Sequence, residues 1–139
     1  MRHQPLLELA DSRAITDASH RAADAHQASV SIAVVDSGGH LLMVERRDGA
    51  SPASVETAIA KARMAALNGK PTAAMEASIN GERPALLQLA GLLGQPAAAM
   101  AGGLPILIEG LCLGAVGVSG MTPDIDSAIA AAGLNALPR

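Results

Sequence analysis

The architecture of this chain follows from one segment, Gly102-Gly103-Leu104-Pro105-Ile106-Leu107-Ile108-Glu109-Gly110-Leu111-Cys112-Leu113-Gly114-Ala115-Val116-Gly117-Val118-Ser119-Gly120. Two apolar runs flank Glu109-Gly110, a short polar break typical of the turn that closes a β-hairpin. The second run contains Gly114, Gly117 and Gly120, which weaken a strand unless another backbone or a ligand approaches closely. We therefore predict a strand, a turn and a strand, with two explanations for the glycines: a ligand site, or a bulge or close helix crossing.

A second hairpin is predicted earlier in the chain. Residues 30–35 are rich in β-branched side chains, Asp36-Ser37-Gly38-Gly39 supplies a turn, and residues 40–46 resume a strand pattern. Helices are predicted at residues 6–26, 52–68, 84–90 and 123–134, a loop at 70–82, and a short strand at 97–101. Two tight hairpins favour an antiparallel sheet with helices packed on it, which is an α+β fold.

The composition limits the class of protein. With 139 residues, half of them apolar and none aromatic, the chain is expected to form a single domain over residues 1–139 with an aliphatic core. Because such a core buries modest area per residue, contacts within an oligomer are expected to supply some of the missing burial. The net charge of −3, without a basic run or an aromatic side chain, argues against a nucleic-acid partner. No apolar run reaches the length of a membrane span and no signal-peptide core is present, so no membrane partner and a cytoplasmic location are expected.

Candidate binding groups lie at the ends of the predicted elements. They are the side chains of Arg46, Asp48, Lys61 and Ser119 and the backbone amides of Gly102, Gly103 and Gly120. Lys61 stands in a run of small, apolar residues, so its amine either points into a pocket as an anchor for an anion or lies in solvent. No GxSxG, HExxH or phosphate-loop motif occurs, which argues against a hydrolase triad, a catalytic zinc site and a nucleotide site.

One histidine lies on the polar face of the first predicted helix. Asp17, His20 and Asp24 are spaced i, i+3 and i+7, so they share that face. Such a group would hold a metal ion or bring an imidazole to a haem iron, and the alternative is a solvated face with local charge pairing. His20 is therefore the candidate axial ligand for haem.

Five short motifs, in order along nearly the whole chain, resemble one family. They are Ile32-Ala33-Val34-Val35-Asp36-Ser37-Gly38-Gly39-His40-Leu41, Arg46-Arg47-Asp48-Gly49-Ala50, Lys61-Ala62, Gly102-Gly103-Leu104-Pro105-Ile106 and Gly114-Ala115-Val116-Gly117-Val118-Ser119-Gly120. They resemble the haem-binding HbpS family, which also contains GlcG and the C-terminal domain of PduO. The resemblance implies a profilin-like fold with an antiparallel sheet of about five strands, assembly into dimers to octamers, and, in some members, haem binding, haem degradation or corrinoid use. Two positions depart from the family pattern: Arg47 replaces its usual Met, and Met64 replaces its usual Thr.

The leading hypothesis is a small oligomeric ligand-binding protein of the HbpS/GlcG type, with haem or a related tetrapyrrole as the first candidate ligand. Its pocket is expected near Asp48, Lys61, Gly103 and Ser119, with Lys61 anchoring an anion and Asp48 orienting a donor. The rival is a lyase, hydratase or isomerase in which Asp48 or Lys61 exchanges a proton with a compact polar substrate, which suits a chain without aromatic walls. A third hypothesis is an accessory subunit without a ligand.

Overall fold

The computed structural model describes residues 1–138, which form five α-helices, one 3₁₀ helix and four strands. In chain order these are α1 (Leu9–Ala25), β1 (Ser31–Asp36), β2 (Leu41–Arg46), α2 (Ala53–Asn68), α3 (Thr72–Ile79), a 3₁₀ helix (Pro84–Gln88), α4 (Leu89–Leu92), β3 (Gly103–Ile108), β4 (Leu111–Ser119) and α5 (Pro123–Leu134). The predicted α+β class, with helices on an antiparallel sheet, is confirmed. Within the described residues, no helix has both the length and the apolar character needed to cross a membrane.

The four strands form one sheet in the order β2-β1-β4-β3, and every neighbouring pair is antiparallel. Both predicted hairpins are present, β1 with β2 and β3 with β4. Ser31 in β1 lies opposite Arg46 on one side and Ser119 on the other. Because directly opposed residues of antiparallel strands point to the same face, these three side chains line one end of one sheet face.

The sheet separates two apolar layers. On one face, α1 and α5 cover a cluster that includes Ile15, Ile32, Val116 and Ile129. On the other face, α2 covers a cluster of small residues that includes Ala33, Ala58 and Ala62. Residues 32–35 of β1 alternate between the two clusters, as the period of two in a strand requires.

The close approach of α2 to the sheet accounts for two glycines of the segment 102–120. A Cβ atom at Gly117 would lie 2.1 Å from the carbonyl oxygen of Ala58, and one at Gly103 would lie 2.4 Å from that of Lys61. Both contacts are shorter than real Cβ atoms tolerate. Of the two explanations for the glycines, the close helix crossing is present at these positions.

Three local predictions were wrong. Residues 97–101, predicted as a short strand, do not join the sheet, whose four strands are close to the number of about five that the resemblance implies; instead, the amide of Ala98 donates to the carbonyl of Ala60 on α2 at 3.0 Å. Residues 70–82, predicted as a loop, contain α3. Pro71 stands at the N-terminal cap of α3, where its missing N–H costs nothing, so it begins a helix here. The helix predicted at 84–90 is a 3₁₀ turn followed by α4.

Candidate functional site

Lys61 is a buried lysine of α2, and at one end of the sheet its amine reaches α5 on the opposite face. The residue is 4 % exposed, which excludes the alternative in which its amine lies in solvent. Its Nζ atom donates to the carbonyl oxygen of Val118 at 3.0 Å and to Oδ2 of Asp126 at 3.2 Å. The second oxygen of Asp126, Oδ1, accepts from the backbone N–H of Met121 at 3.0 Å. The ion pair therefore connects α2 to β4 and to the first turns of α5.

Gly102 and Gly103 make room for this pair. Gly102 has φ +125°, and a Cβ there would lie 2.5 Å from the oxygen of Val118 and 3.0 Å from Nζ of Lys61. The amide of Gly103 donates to Oγ1 of Thr72 at 2.9 Å, so it is already bonded within the protein. Lys61 therefore lies beside Gly102 and Gly103, two glycines of the predicted set, and both glycines pack against protein atoms. A role for their amides in ligand contact stays a prediction.

A cavity of about 240 Å³ opens beside the ion pair, and we call it the Lys61 cavity. The side chains of Thr57 and Ser119 line it together with Lys61 and Asp126. Asp126 is absent from the predicted set because a carboxylate in the first turn of a helix is already explained by its favourable interaction with the helix N-terminus. The sequence offers one signal for Asp126, which is the opposite charge of Lys61 in an otherwise apolar helix. Only the fold brings Asp126 and Lys61 together.

Arg46, Asp48 and His20 lie in a different place. They line an open depression of about 440 Å³, the His20 depression, which is separate from the lining of the Lys61 cavity. Gly120, the last glycine of the predicted set, packs against the backbone between the two, where a Cβ would lie 2.6 Å from the oxygen of Ser29. The predicted site therefore divides into two, and Asp48 is not brought to Lys61.

His20 is held by a network around Arg47. Its Nδ1 atom lies 3.1 Å from NH1 of Arg47, and its Nε2 atom lies 3.3 Å from Oε2 of Glu45. Arg47 also donates to the carbonyl oxygens of Ala28 at 3.1 Å and His20 at 3.3 Å, and it forms an ion pair with Asp24. Because a guanidinium only donates, Nδ1 must accept, which assigns the ring proton to Nε2, facing Glu45.

This network does not fit haem ligation by His20. An iron ligand needs a nitrogen with a free lone pair, and the one such nitrogen, Nδ1, is covered by Arg47. The walls of the depression are mainly polar, whereas a macrocycle needs apolar contact. The metal-binding alternative has no support either: among residues 1–138, no three His, Cys, Asp or Glu side chains are grouped as metal ligands.

Comparison with known proteins agrees with the fold. Residues 7–135 match the family model described as "Haem degrading protein HbpS-like", so the chain belongs to the HbpS-like family. GlcG of Escherichia coli strain K12 is 38% identical over 119 residues, which are 86% of this chain and 85% of that protein. The family predicted from the five motifs is confirmed.

Two solved structures give the same result in three dimensions. A double mutant of HbpS from Streptomyces reticuli is 28% identical, with a TM-score of 0.89, over 100% of this chain and 92% of that chain. A structure described as a PduOC:heme complex is 25% identical, with a TM-score of 0.85, over 96% of each chain. These relatives support the broader class, a ligand-binding protein of the HbpS/GlcG type.

Proposed function

We propose that this chain binds a compact, polar, uncharged small molecule in the Lys61 cavity. An ammonium group has three N–H donors, and Lys61 uses two of them on Val118 and Asp126. The third N–H remains for a ligand acceptor. Ser119 lines the same cavity, is 8 % exposed, and its hydroxyl forms no hydrogen bond with the described residues. This buried lysine beside a free hydroxyl is the observation that carries the proposal.

Charge and size define the class of ligand. Asp126 balances the charge of Lys61, and Glu76 adds a further carboxylate to the lining of the cavity. This balance favours a carbonyl or hydroxyl compound over the anion expected from the sequence, because an anion would meet the field of Glu76. The volume of about 240 Å³ lies below the range typical of drug-sized ligands, so a molecule of a few carbon atoms fits.

Haem is the second candidate, and its support comes from relatives. The family model carries the words "haem degrading", and one structural relative is a heme complex. The arrangement around His20 opposes ligation by that residue in this chain, as shown above. Haem bound by this protein would therefore be independent of His20, and a haemin titration of wild type and His20→Ala should give the same absorbance change.

Calorimetric titration tests the primary proposal. The probes are lactamide, which is compact and neutral, and lactate, its anionic counterpart. Lactamide should bind more tightly than lactate, and Ser119→Ala should weaken lactamide binding by about tenfold through the loss of one buried hydrogen bond. Ser37→Ala, which removes an exposed hydroxyl from the β1–β2 turn, is the matched control and should change nothing. Absence of lactamide binding, or equal binding by Ser119→Ala, would overturn the proposal.

A proton-transfer enzyme is a further candidate because Lys61 and Asp126 are 3.2 Å apart beside the cavity. Asp126 takes the place that the sequence hypothesis gave to Asp48. If the pair exchanges a proton with substrate, wild-type protein in D₂O should exchange the α-hydrogens of dihydroxyacetone faster than buffer does, as measured by proton NMR. Exchange at the buffer rate would contradict the enzyme candidate and would leave the protein with a binding role alone.

We also infer that the chain forms a homo-oligomer, from dimer to octamer. Leu42 on the edge strand β2 is 37% exposed and Leu107 on the edge strand β3 is 54% exposed, which leaves apolar side chains beside unpaired strand edges. Leu92 on α4 is 78% exposed. Light scattering on the eluted protein measures the mass directly, and a monomer at micromolar concentration would contradict this inference. The cytoplasmic location stays a prediction.

A further inference from the structure

A second cavity, independent of the Lys61 cavity, lies between α2 and the segment that contains α3 and the 3₁₀ helix. It has a volume of about 380 Å³, and we call it the α3 cavity. Its apolar wall is formed by Met64, Met75, Leu86 and Leu89. Unbranched methionine side chains adapt to irregular apolar ligands. The volume lies within the range of small-molecule sites.

The packing of α3 leaves this apolar wall accessible. Thr72 is the one buried residue of α3, and its hydroxyl pins the start of the helix to Gly103. The remaining α3 residues keep part of their surface exposed. The wall is therefore accessible at Met75, Leu86 and Leu89, which are half-buried, while Met64 is buried behind them.

The charge at this cavity differs from that of the chain as a whole. Lys70 and Arg83 are the charged residues in its lining, and both are cations and exposed. Neither forms an ion pair with any described residue. The whole chain carries a net charge of −3, so two unpaired cations beside one apolar wall are a local exception. The wall and the cations together complement a molecule with an apolar body and an acidic group.

We propose that the α3 cavity binds an amphipathic organic anion. The apolar body packs against Met75 and Leu86, and its carboxylate or sulfonate meets Lys70 and Arg83. The charge of each cation is exposed, so the anion keeps part of its hydration while its apolar body leaves water. This site differs from the Lys61 cavity in ligand class, and it stands whether or not that cavity is occupied.

Two fluorescent probes with matched ring systems test the proposal on the full chain. Anilinonaphthalene sulfonate carries the acidic group, and N-phenylnaphthylamine lacks it. The double variant Lys70→Ala/Arg83→Ala should bind the sulfonate about tenfold more weakly and the neutral probe unchanged. The control is Arg13→Ala/Arg21→Ala, which removes two exposed cations from α1 and should leave both affinities unchanged. Met75→Gln should weaken both probes.

Three results would overturn the proposal. One is the absence of saturable sulfonate binding to the wild-type protein. Another is equal weakening by the two double variants, which would show a response to net charge alone. The third is an equal loss of the neutral probe in Lys70→Ala/Arg83→Ala. Circular dichroism of each variant verifies that it is folded, because the sulfonate also binds disordered states.

Discussion

Lys61 and Arg47 are two cations at the same end of the sheet, and they are held in opposite ways. Lys61 is buried, has two acceptors for three donors, and lies beside a cavity. Arg47 is partly exposed and is bonded to Ala28, Asp24 and both the ring and the carbonyl of His20. Each cation keeps one N–H without an acceptor, so the difference lies in the surroundings: Lys61 is buried beside a cavity, whereas Arg47 lies at an open, polar depression. We therefore propose Lys61 for a ligand site, whereas Arg47 holds α1 to the residues that follow β2.

The largest expected effect comes from removing the charge of Lys61. Lys61→Met leaves the carboxylate of Asp126 buried without its partner, so the free energy of unfolding should fall by about 3–5 kcal/mol. Chemical denaturation measures this loss. Lys61→Met/Asp126→Asn should recover part of it, because no unpaired charge remains in the interior. Lys70→Met, at an exposed position, should lose almost nothing; an equal loss there would contradict the assignment.

The second prediction concerns the close packing that holds Lys61 in place. Gly117→Ala drives a methyl group into the backbone of α2 and should cost about 1–3 kcal/mol or more of unfolding free energy. Gly110→Ala meets no atom within 4 Å, but its φ of +78° is unfavourable for alanine, so it should cost about 1–2 kcal/mol. Thermal unfolding of both variants measures the difference. A smaller loss in Gly117→Ala than in Gly110→Ala would show that α2 moves freely on the sheet.

The third prediction concerns the hydrogen bonds that Arg47 makes. Arg47→Met removes the hydrogen bonds to His20 and Ala28 and should cost about 1–2 kcal/mol, because the network is partly exposed. It also uncovers Nδ1 of His20. In a haemin titration followed by absorbance, Arg47→Met should therefore gain a component that Arg47→Met/His20→Ala lacks. A His20-dependent component already present in wild type would show that Arg47 does not block the ring.

Part of this comparison was visible in the sequence. The hairpins followed from Asp36-Ser37-Gly38-Gly39 and Glu109-Gly110, because turn residues and apolar alternation are local signals. The association of Lys61 with Gly102 and Gly103 was expected because all three were assigned to the ends of predicted elements, which the hairpins bring together. Asp126 was missed because an ion pair across 65 positions of the chain leaves no local pattern.

The division of the predicted site has a similar cause. Arg46 and Ser119 end β2 and β4, the two strands that flank β1, and Asp48 follows β2 beside Arg46, so all three lie at one end of the sheet, as expected from the sequence. Whether two such residues face one cavity depends on the strand register and on the helix that covers each face. Neither is encoded within a short motif. α3 was missed for a different reason: its single buried residue, Thr72, leaves no apolar period to detect.

The smallest expected effect lies at Cys112, away from both cations. Burial raises the pKa of its thiol, and a weaker opposing contribution comes from the hydrogen bond to the backbone of Gly114. A raised pKa means that less thiolate is present at pH 8 than in a free cysteine, so alkylation by iodoacetamide should be severalfold slower. The rate should rise as pH increases, because the thiolate forms. A rate equal to that of free cysteine at pH 8 would contradict this prediction.

The central claim is that one N–H of Lys61 is available to a ligand, and NMR of the side-chain nitrogens tests this claim directly. In a lactamide titration of ¹⁵N-labelled protein, the Nζ resonance of Lys61 should shift saturably, while the Nε resonance of Arg47 stays in place. A Lys61 resonance that does not move, or an equal shift at Arg47, would contradict the account.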